Sequence, residues 1–258
     1  MTKDSRSLVP VSPDGLDEIA ASLLEGNTTK PSSTSASTIL PAINITSPEN
    51  YIILTGKAHG AYSYPDLLVP FDRSYNNHNW NQARDAVHNE GSLILTIRQY
   101  TDFLKLLKSG NAFNGRGTKL ESGRINSLLD DILTVRNPWR AEWLDAKFSN
   151  KGTIRKKLQI TYNKIKPDGS LEEVTEPLQD CLMKDKTPGI NLDYWLNNAT
   201  VQGIPPKNQT DGTLYFWQPK DTAVAWFGAD SDGVYLSCDW YPQFTNAGLG
   251  VRAAKIKR

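Results

Sequence analysis

Apolar side chains recur at helical spacing along the first half of this 258-residue chain, and the period then changes to two. Trp80, Ala83 and Val87 fall on one helical face and stop before Gly91, which predicts a helix of about ten residues. Thr96 is a good N-cap for a second helix with Ile97, Tyr100, Phe103, Leu104 and Leu107 on one face and Gly110 after it. Ser122 caps a third, whose stripe is Ile125, Leu128, Leu129, Ile132 and Leu133. Asn137-Pro138 closes it, because the proline ring forbids continuation. By the same periodicity Trp139 and Trp143, at i and i+4, form one buried stripe beside Leu144, which leaves Glu142 and Asp145 facing water.

From about Lys147 the alternation is that of strands. Leu158, Ile160 and Tyr162 alternate, Pro167-Asp168-Gly169 makes a turn, and Leu171 to Val174 returns as a hairpin partner. Asn191 to Gln202 reads as a last short helix carrying Tyr194, Trp195 and Leu196. Within Val234 to Tyr241, Val234, Leu236, Cys238 and Trp240 are expected to face a core, and Tyr235, Ser237, Asp239 and Tyr241 to share an open face.

Ahead of the body, Leu16, Ile19, Leu23 and Leu24 mark a short amphipathic helix ending near Gly26-Asn27, and residues 27–38 form a Ser/Thr-rich linker with little to bury. Residues 1–48 are therefore an expected N-terminal arm, and residues 49–258 one domain beginning with the strand Tyr51 to Leu54. Helices early, strands late and no strand-helix-strand alternation predict an α+β fold rather than a parallel-sheet enzyme.

Composition narrows the function classes. A net charge of +1 gives no global attraction to nucleic acid or anionic lipid, so no nucleic-acid partner is expected. The short basic run Arg155-Lys156-Lys157 and the terminal Lys255, Lys257 and Arg258 read as solvated edges. No run approaches the roughly 18 apolar residues of a membrane span, and the polar start lacks the apolar core of a signal peptide. Asn-x-Ser/Thr triplets at Asn27, Asn44, Asn198 and Asn208 fit chance in an Asn/Thr-rich chain. Cys181 and Cys238 are too few for a disulfide scaffold and too far apart for a zinc knuckle; two buried thiols are expected, with one bridge the alternative.

Catalytic signatures fail one by one. Gly110 to Thr118 resembles a phosphate loop, but Arg116 stands where lysine is required and the loop follows a helix rather than a strand. His59, His78 and His88 have no paired spacing, so no metal site is expected. No Gly-x-Ser-x-Gly turn is present, and neither cysteine neighbours a histidine. The alternative enzymatic reading is a carbohydrate-active enzyme using Glu142 and Asp145, with Trp139 and Trp143 to grip a sugar.

The C-terminal segment carries a different signal. From Leu214 to Arg252 it holds nine of the 24 aromatic residues, interleaved with Asp, Ser, Gln, Asn and Gly. Aromatic rings supply contact area at low entropic cost while small polar residues supply adaptable hydrogen bonds, the composition of a recognition surface.

The order of parts, namely a first strand, the Trp80/Ala83 helix, the Gly91 to Thr96 link, a second helix, an inserted helix and hairpin region, and a strand-and-loop C-terminal half, resembles the C-type lectin-like fold. Ala247-Gly248-Leu249-Gly250-Val251-Arg252 is similar to the closing strand of its formylglycine-generating-enzyme-like members. Together with the aromatic and polar variety of the C-terminal segment, the chain looks most like a variable protein of a diversity-generating retroelement, of the archaeal type. The resemblance implies a variable region at about 214–252, where error-prone copying at adenines turns template Asn codons into Tyr, Ser, Asp, Phe, Thr or Gly. Residues of these types are Phe216, Gly228, Asp230, Tyr235, Ser237, Asp239, Tyr241, Phe244 and Asn246. Gln218, Asp221 and Trp226 join the implied set, although Gln and Trp are not reached from Asn by adenine changes alone. The implied ligand is a protein or a cell surface, bound without cofactor or metal. Calcium-dependent lectins carry Glu-Pro-Asn or Gln-Pro-Asp and then Trp-Asn-Asp as oxygen ligands. Here Trp217-Gln218-Pro219-Lys220-Asp221 puts a cation in the third ligand's place and Asp239-Trp240 reverses the second motif. The cysteines likewise do not reproduce the reactive pair of formylglycine enzymes.

Overall fold

The computed structural model describes residues 37–40, 47–151 and 157–258, so the expected helix at Leu16 to Leu24, most of the linker and Arg155-Lys156 lie outside the described residues. In chain order the first strands are β1 (Ser37–Thr38), β2 (Tyr51–Leu54), β3 (Lys57–His59), β4 (Tyr62–Tyr64) and β5 (Leu67–Pro70). The helices α1 (Trp80–Asn89), α2 (Ile97–Lys108) and α3 (Ser122–Leu133) follow. A long strand β6 (Arg140–Lys151) leads to the hairpin β7 (Lys157–Ile165) and β8 (Leu171–Pro177), then β9 (Lys186–Ile190) and α4 (Leu192–Asn198). The C-terminal part supplies β10 (Leu214–Trp217), β11 (Val224–Ala229), β12 (Val234–Trp240), β13 (Leu249–Gly250) and β14 (Lys255–Ile256). The architecture is α+β, with few helices and a large sheet.

Local chemistry explains the helix limits. The side chain of Asn79 accepts from Gln82 N at 2.9 Å while Gln82 Oε1 accepts from Asn79 N at 3.1 Å, a reciprocal cap that starts α1. Thr96 and Gln99 make the same box at α2. Gly91 and Gly110, past the ends of these helices, both take φ 66°, a left-handed conformation that glycine adopts without a Cβ penalty. Ser122 is not the cap of α3. Glu121 holds the extended position before the helix and makes no side-chain cap bond, and the helix ends at Leu133, ahead of Asn137, because Thr134 is already extended.

The main sheet runs β1-β8-β7-β6-β11-β12-β10-β9, with β13 parallel on β6. From Arg140 to Asp145 the segment is thus strand rather than helix. Positions i and i+4 share a face under either period, so the tryptophan spacing could not decide, and pairing with β11 and β13 does. A pairing at the outer edge revises the expected domain start. Ser37 and Thr38, inside the expected linker, pair with Glu172 and Leu171, and Leu40 is buried in the core. A smaller sheet, β14-β5-β2, brings the last strand beside the early ones, and β3-β4 forms a separate hairpin.

Both faces of the main sheet are covered. One packs Phe148, Phe216, Phe227, Leu236 and Cys238 with Tyr100 and Phe103 of α2 and Trp195 of α4. The other packs Ala141, Trp143, Val224, Trp226 and Tyr235 with Trp80, Ala83 and Val87 of α1. A strand covered on both sides buries successive residues, so the expected open face of β12 does not exist at its centre: Tyr235 is 4% exposed and Ser237 2%. Cys181 and Cys238 are free, buried thiols.

Candidate functional site

The second face of the sheet is an aromatic layer in two tiers. Trp226 is its hub, 4% exposed, with ring centroids of Trp139, Trp143, Tyr235, Trp240 and Phe244 all within 6.1 Å. Below it Trp143 donates from Nε1 to His78 O at 3.1 Å, and Trp80 donates to Leu144 O at 2.8 Å, so the floor is pinned to backbone. Above it stand half-buried rings of Tyr75, Trp139, Tyr215, Trp217, Trp240 and Phe244. The layer continues from Tyr215 to Trp217 at 6.0 Å and from Trp217 edge-on to Tyr235 at 5.5 Å. At the far end Tyr241 is 74% exposed, its ring 6.3 Å from Trp240.

A β-bulge shapes the outer tier. Between β11 and β12 the register runs Trp226↔Ser237 and then Val224↔Trp240, so three steps on β12 answer two on β11. The extra residue turns Trp240 away from the face of Leu236 and Cys238 and onto the aromatic one. Trp240 is therefore half-buried and stacked on Trp226, rather than a member of the α2-side core.

The implied site residues divide accordingly. Phe216, Trp226, Gly228, Tyr235 and Ser237 are buried, which corrects their reading as outward positions. Phe216 points to the α2 side of β10, so it is its neighbours Tyr215 and Trp217 that reach the aromatic face. Gly228 lies under Tyr235, and an added Cβ there would come within 2.7 Å of both Ala141 Cβ and Arg140 O. Burial pushes the Tyr235 phenol well up.

Gln218, Asp221, Asp230, Asp239, Tyr241, Phe244 and Asn246 retain exposure, yet four of them are tied into the backbone or an ion pair. Asp221 Oδ1 accepts from Asn150 N at 2.8 Å, Asp230 Oδ1 from Asp232 N at 2.8 Å and Gly233 N at 3.1 Å, and Asn246 Oδ1 from Gly248 N at 2.8 Å. Asp239 accepts from Ser237 Oγ at 2.9 Å and from Lys220 Nζ at 2.7 Å. That hydrogen bond, with the carboxylate's charge, raises the Lys220 pKa. Gln218, Tyr241 and Phe244 are left as the members whose side chains make no hydrogen bond among those described.

Glu142 and Asp145 do not face water, nor each other. Three residues apart on β6, they are held by separate sets of partners. Glu142 is 1% exposed and accepts from Arg140 Nη2 and from Arg252 Nε at 3.1 Å. Burial alone would raise its pKa, but the Arg252 and Arg140 guanidinium groups outweigh it and hold the carboxyl below the usual range. Asp145 is 2% exposed, accepts from Asn163 N at 2.7 Å and Nδ2 at 2.9 Å, and has its pKa raised by burial against the pull of Arg84. The cavity beside it holds about 10 Å³, room for one water and far less than a sugar.

Sequence reasoning missed the upper-tier rings Tyr75, Tyr215 and Trp217, and named Trp139 only in the alternative sugar-gripping reading. The alternation Leu214-Tyr215-Phe216-Trp217 carried the signal, but only the burial of Phe216 tells which phase faces the site. Lys57 and His59, on β3, converge with Tyr64 and Arg98 on the buried Asp102 and clip the β3-β4 hairpin to α2. No group of three or more His, Cys, Asp or Glu suited to a metal occurs among the described residues. No helix among them is long and apolar enough to cross a membrane. Comparison with known proteins matches no family model, no curated protein and no solved structure.

Proposed function

We propose that this is a ligand-binding protein with a C-type lectin-like fold, whose recognition face is the aromatic layer of the C-terminal segment and whose outer side chains are exchanged by a diversity-generating retroelement. The fold reading is supported by the last strand returning to the early ones in one small sheet, where β14 lies on β5 beside β2, with α1 and α2 leading from it into the large sheet. The division of the aromatic layer into a pinned floor and an outer tier carries the functional reading. The floor, Trp80, Trp143, Trp226 and Tyr235, is buried. The side chains of Tyr241, Phe244 and Gln218 above it keep exposure and make no described hydrogen bond, so they are free to vary without loss of the scaffold. Tyr, Phe and Gln at the rim of a rigid platform supply contact area and hydrogen bonds to a macromolecular surface.

Two libraries test the reading. Randomising Gln218, Tyr241 and Phe244 is expected to yield folded variants from which binders to two unrelated immobilised proteins are selected. Randomising Phe216, Tyr235 and Ser237 is expected to yield mostly unfolded protein. Equal tolerance in both, or no binders from the first, overturns it. For the retroelement, the gene should lie beside a reverse transcriptase gene and a near-copy of its last 120 or so bases differing only at adenines; without these the diversification claim falls.

A further inference from the structure

We propose that the groove at the end of the sheet where β11 turns into β12, walled by the ends of α3 and α4 on the α2 side and reached by Tyr215 from the aromatic face, is an anchor pocket for a lysine or arginine side chain of a protein partner, an inference that rests on the adjoining aromatic face being the recognition surface. The groove measures about 350 Å³, and Leu133, Val135, Leu192 and Val234 give it aliphatic walls. Val135 is 51% exposed there, an apolar side chain left open to solvent. Tyr215, the first ring of the aromatic face, lines the same groove.

Among the described residues of the lining, Asp232 is the only charged one. It sits in the turn between β11 and β12, but its carboxylate does not hold that turn: the Asp230 side chain does, accepting from Asp232 N and Gly233 N. The nearby Arg136 is engaged with Asp131 at 3.2 Å, so it does not neutralise Asp232. Aliphatic walls, one aromatic ring and one carboxylate at the rim match a side chain with a long apolar stem and a cationic head. An acidic side chain would meet Asp232 and, beside it, Asp230. A short neutral one would fill the walls and leave the carboxylate without a partner.

Methyl NMR of the full chain tests this, with n-butylguanidinium as probe against n-butanol and butyrate. Shifts are expected at the Val135, Leu192 and Val234 methyls, with the guanidinium binding about fivefold tighter than the alcohol, the upper range for an exposed ion pair, and butyrate weakest. Asp232→Asn, which keeps the turn's backbone bonds, should abolish that preference and leave alcohol binding unchanged. Equal binding of cation and alcohol, a preference that survives Asp232→Asn, or no shift at these methyls overturns the pocket. Shifts confined to the ring signals of Tyr241 and Phe244, read in a parallel aromatic spectrum, would also overturn it while leaving the proposed recognition face standing.

Discussion

The indole of Trp240 lies on that of Trp226, with ring centroids 4.5 Å apart and planes within 22° of parallel, although the two residues belong to tiers of different exposure. This stack joins what must stay constant to what can vary. Trp226 touches the floor through Trp143 and Tyr235, while Trp240 passes the platform on to Tyr241 and Phe244. Truncating the lower ring should therefore empty the layer: Trp226→Ala is expected to cost about 3 to 5 kcal/mol, as large aromatic deletions in a packed core do. Tyr241→Ala, at the exposed end, should change stability by about 0.5 kcal/mol or less. Urea unfolding of both variants measures the difference, and equal losses would mean that the two tiers are one core.

The implied variable positions that cap backbone should behave as structure. Asp230→Ala removes the acceptor of two turn amides, and Asn246→Ala removes that of Gly248 N, so each is expected to cost about 1 kcal/mol, the net worth of such bonds. Gln218→Ala, with no described side-chain bond, should cost less than either. Thermal melting of the three variants ranks them.

Much of this was legible in the chain. Asn79, Thr96, Gly91 and Gly110 are local signals, and a cap or a left-handed glycine acts within one turn, so α1 and α2 were readable without tertiary knowledge. The β7-β8 hairpin was equally local, because Asp168 Oδ1 accepts from Ser170 N and Oγ while Gly169 takes φ 80°. The exposure of Tyr235 and Ser237 was not local. Alternation assigned them correctly to the face opposite Leu236 and Cys238, but whether a face is wet depends on Trp143 and Trp217, far away in the chain. Glu142 failed for a related reason: its partner Arg140 shares a face with it only once the segment is known to be strand, and Arg252, 110 residues away, is linked to it by no period.

Acid should unfold the domain through its buried carboxylates. Glu142 and Asp102 both have folded pKa values below their ordinary ones: the cost of burial is outweighed at Glu142 by Arg252 and Arg140, and at Asp102 by Arg98 together with Tyr64, Lys57 and His59. Their contribution is therefore complete above the unfolded value of about 4 and is lost as pH falls through the lower folded value. Asp145 runs the other way: its raised pKa makes its ionisation a cost that grows as pH rises from about 4, so Asp145→Asn, which removes that cost, should make stability rise more steeply with pH than in the parent. Glu142→Gln should cost about 3 to 5 kcal/mol at pH 7, since it removes the buried carboxylate that Arg140 and Arg252 share and leaves them only the partly exposed Asp131 in common. Denaturation followed between pH 3 and pH 7 tests both; a variant as stable as the parent at pH 7 would mean that the arginines are satisfied elsewhere.

Gly228 offers the sharpest separation between a variable position and a structural one. Serine and glycine are both in the set of residues implied by adenine changes at an Asn codon, so an exchangeable position here should tolerate Gly228→Ser. The backbone argues against it. Gly228 pairs with Ala141 on one side and Tyr235 on the other, and an added Cβ would lie 2.7 Å from Arg140 O, a backbone atom held in β6, and 3.1 Å from the Tyr235 ring. Because those neighbours are fixed in a sheet covered on both faces, the strands must move apart, and overpacking of this kind costs about 1 to 3 kcal/mol. The same serine in place of Tyr241 meets no neighbour and should leave the melting temperature nearly unchanged. If Gly228→Ser melts with the parent while Tyr241→Ser unfolds, the assignment of floor and outer tier is inverted, and the recognition face has to be sought on the other side of the sheet.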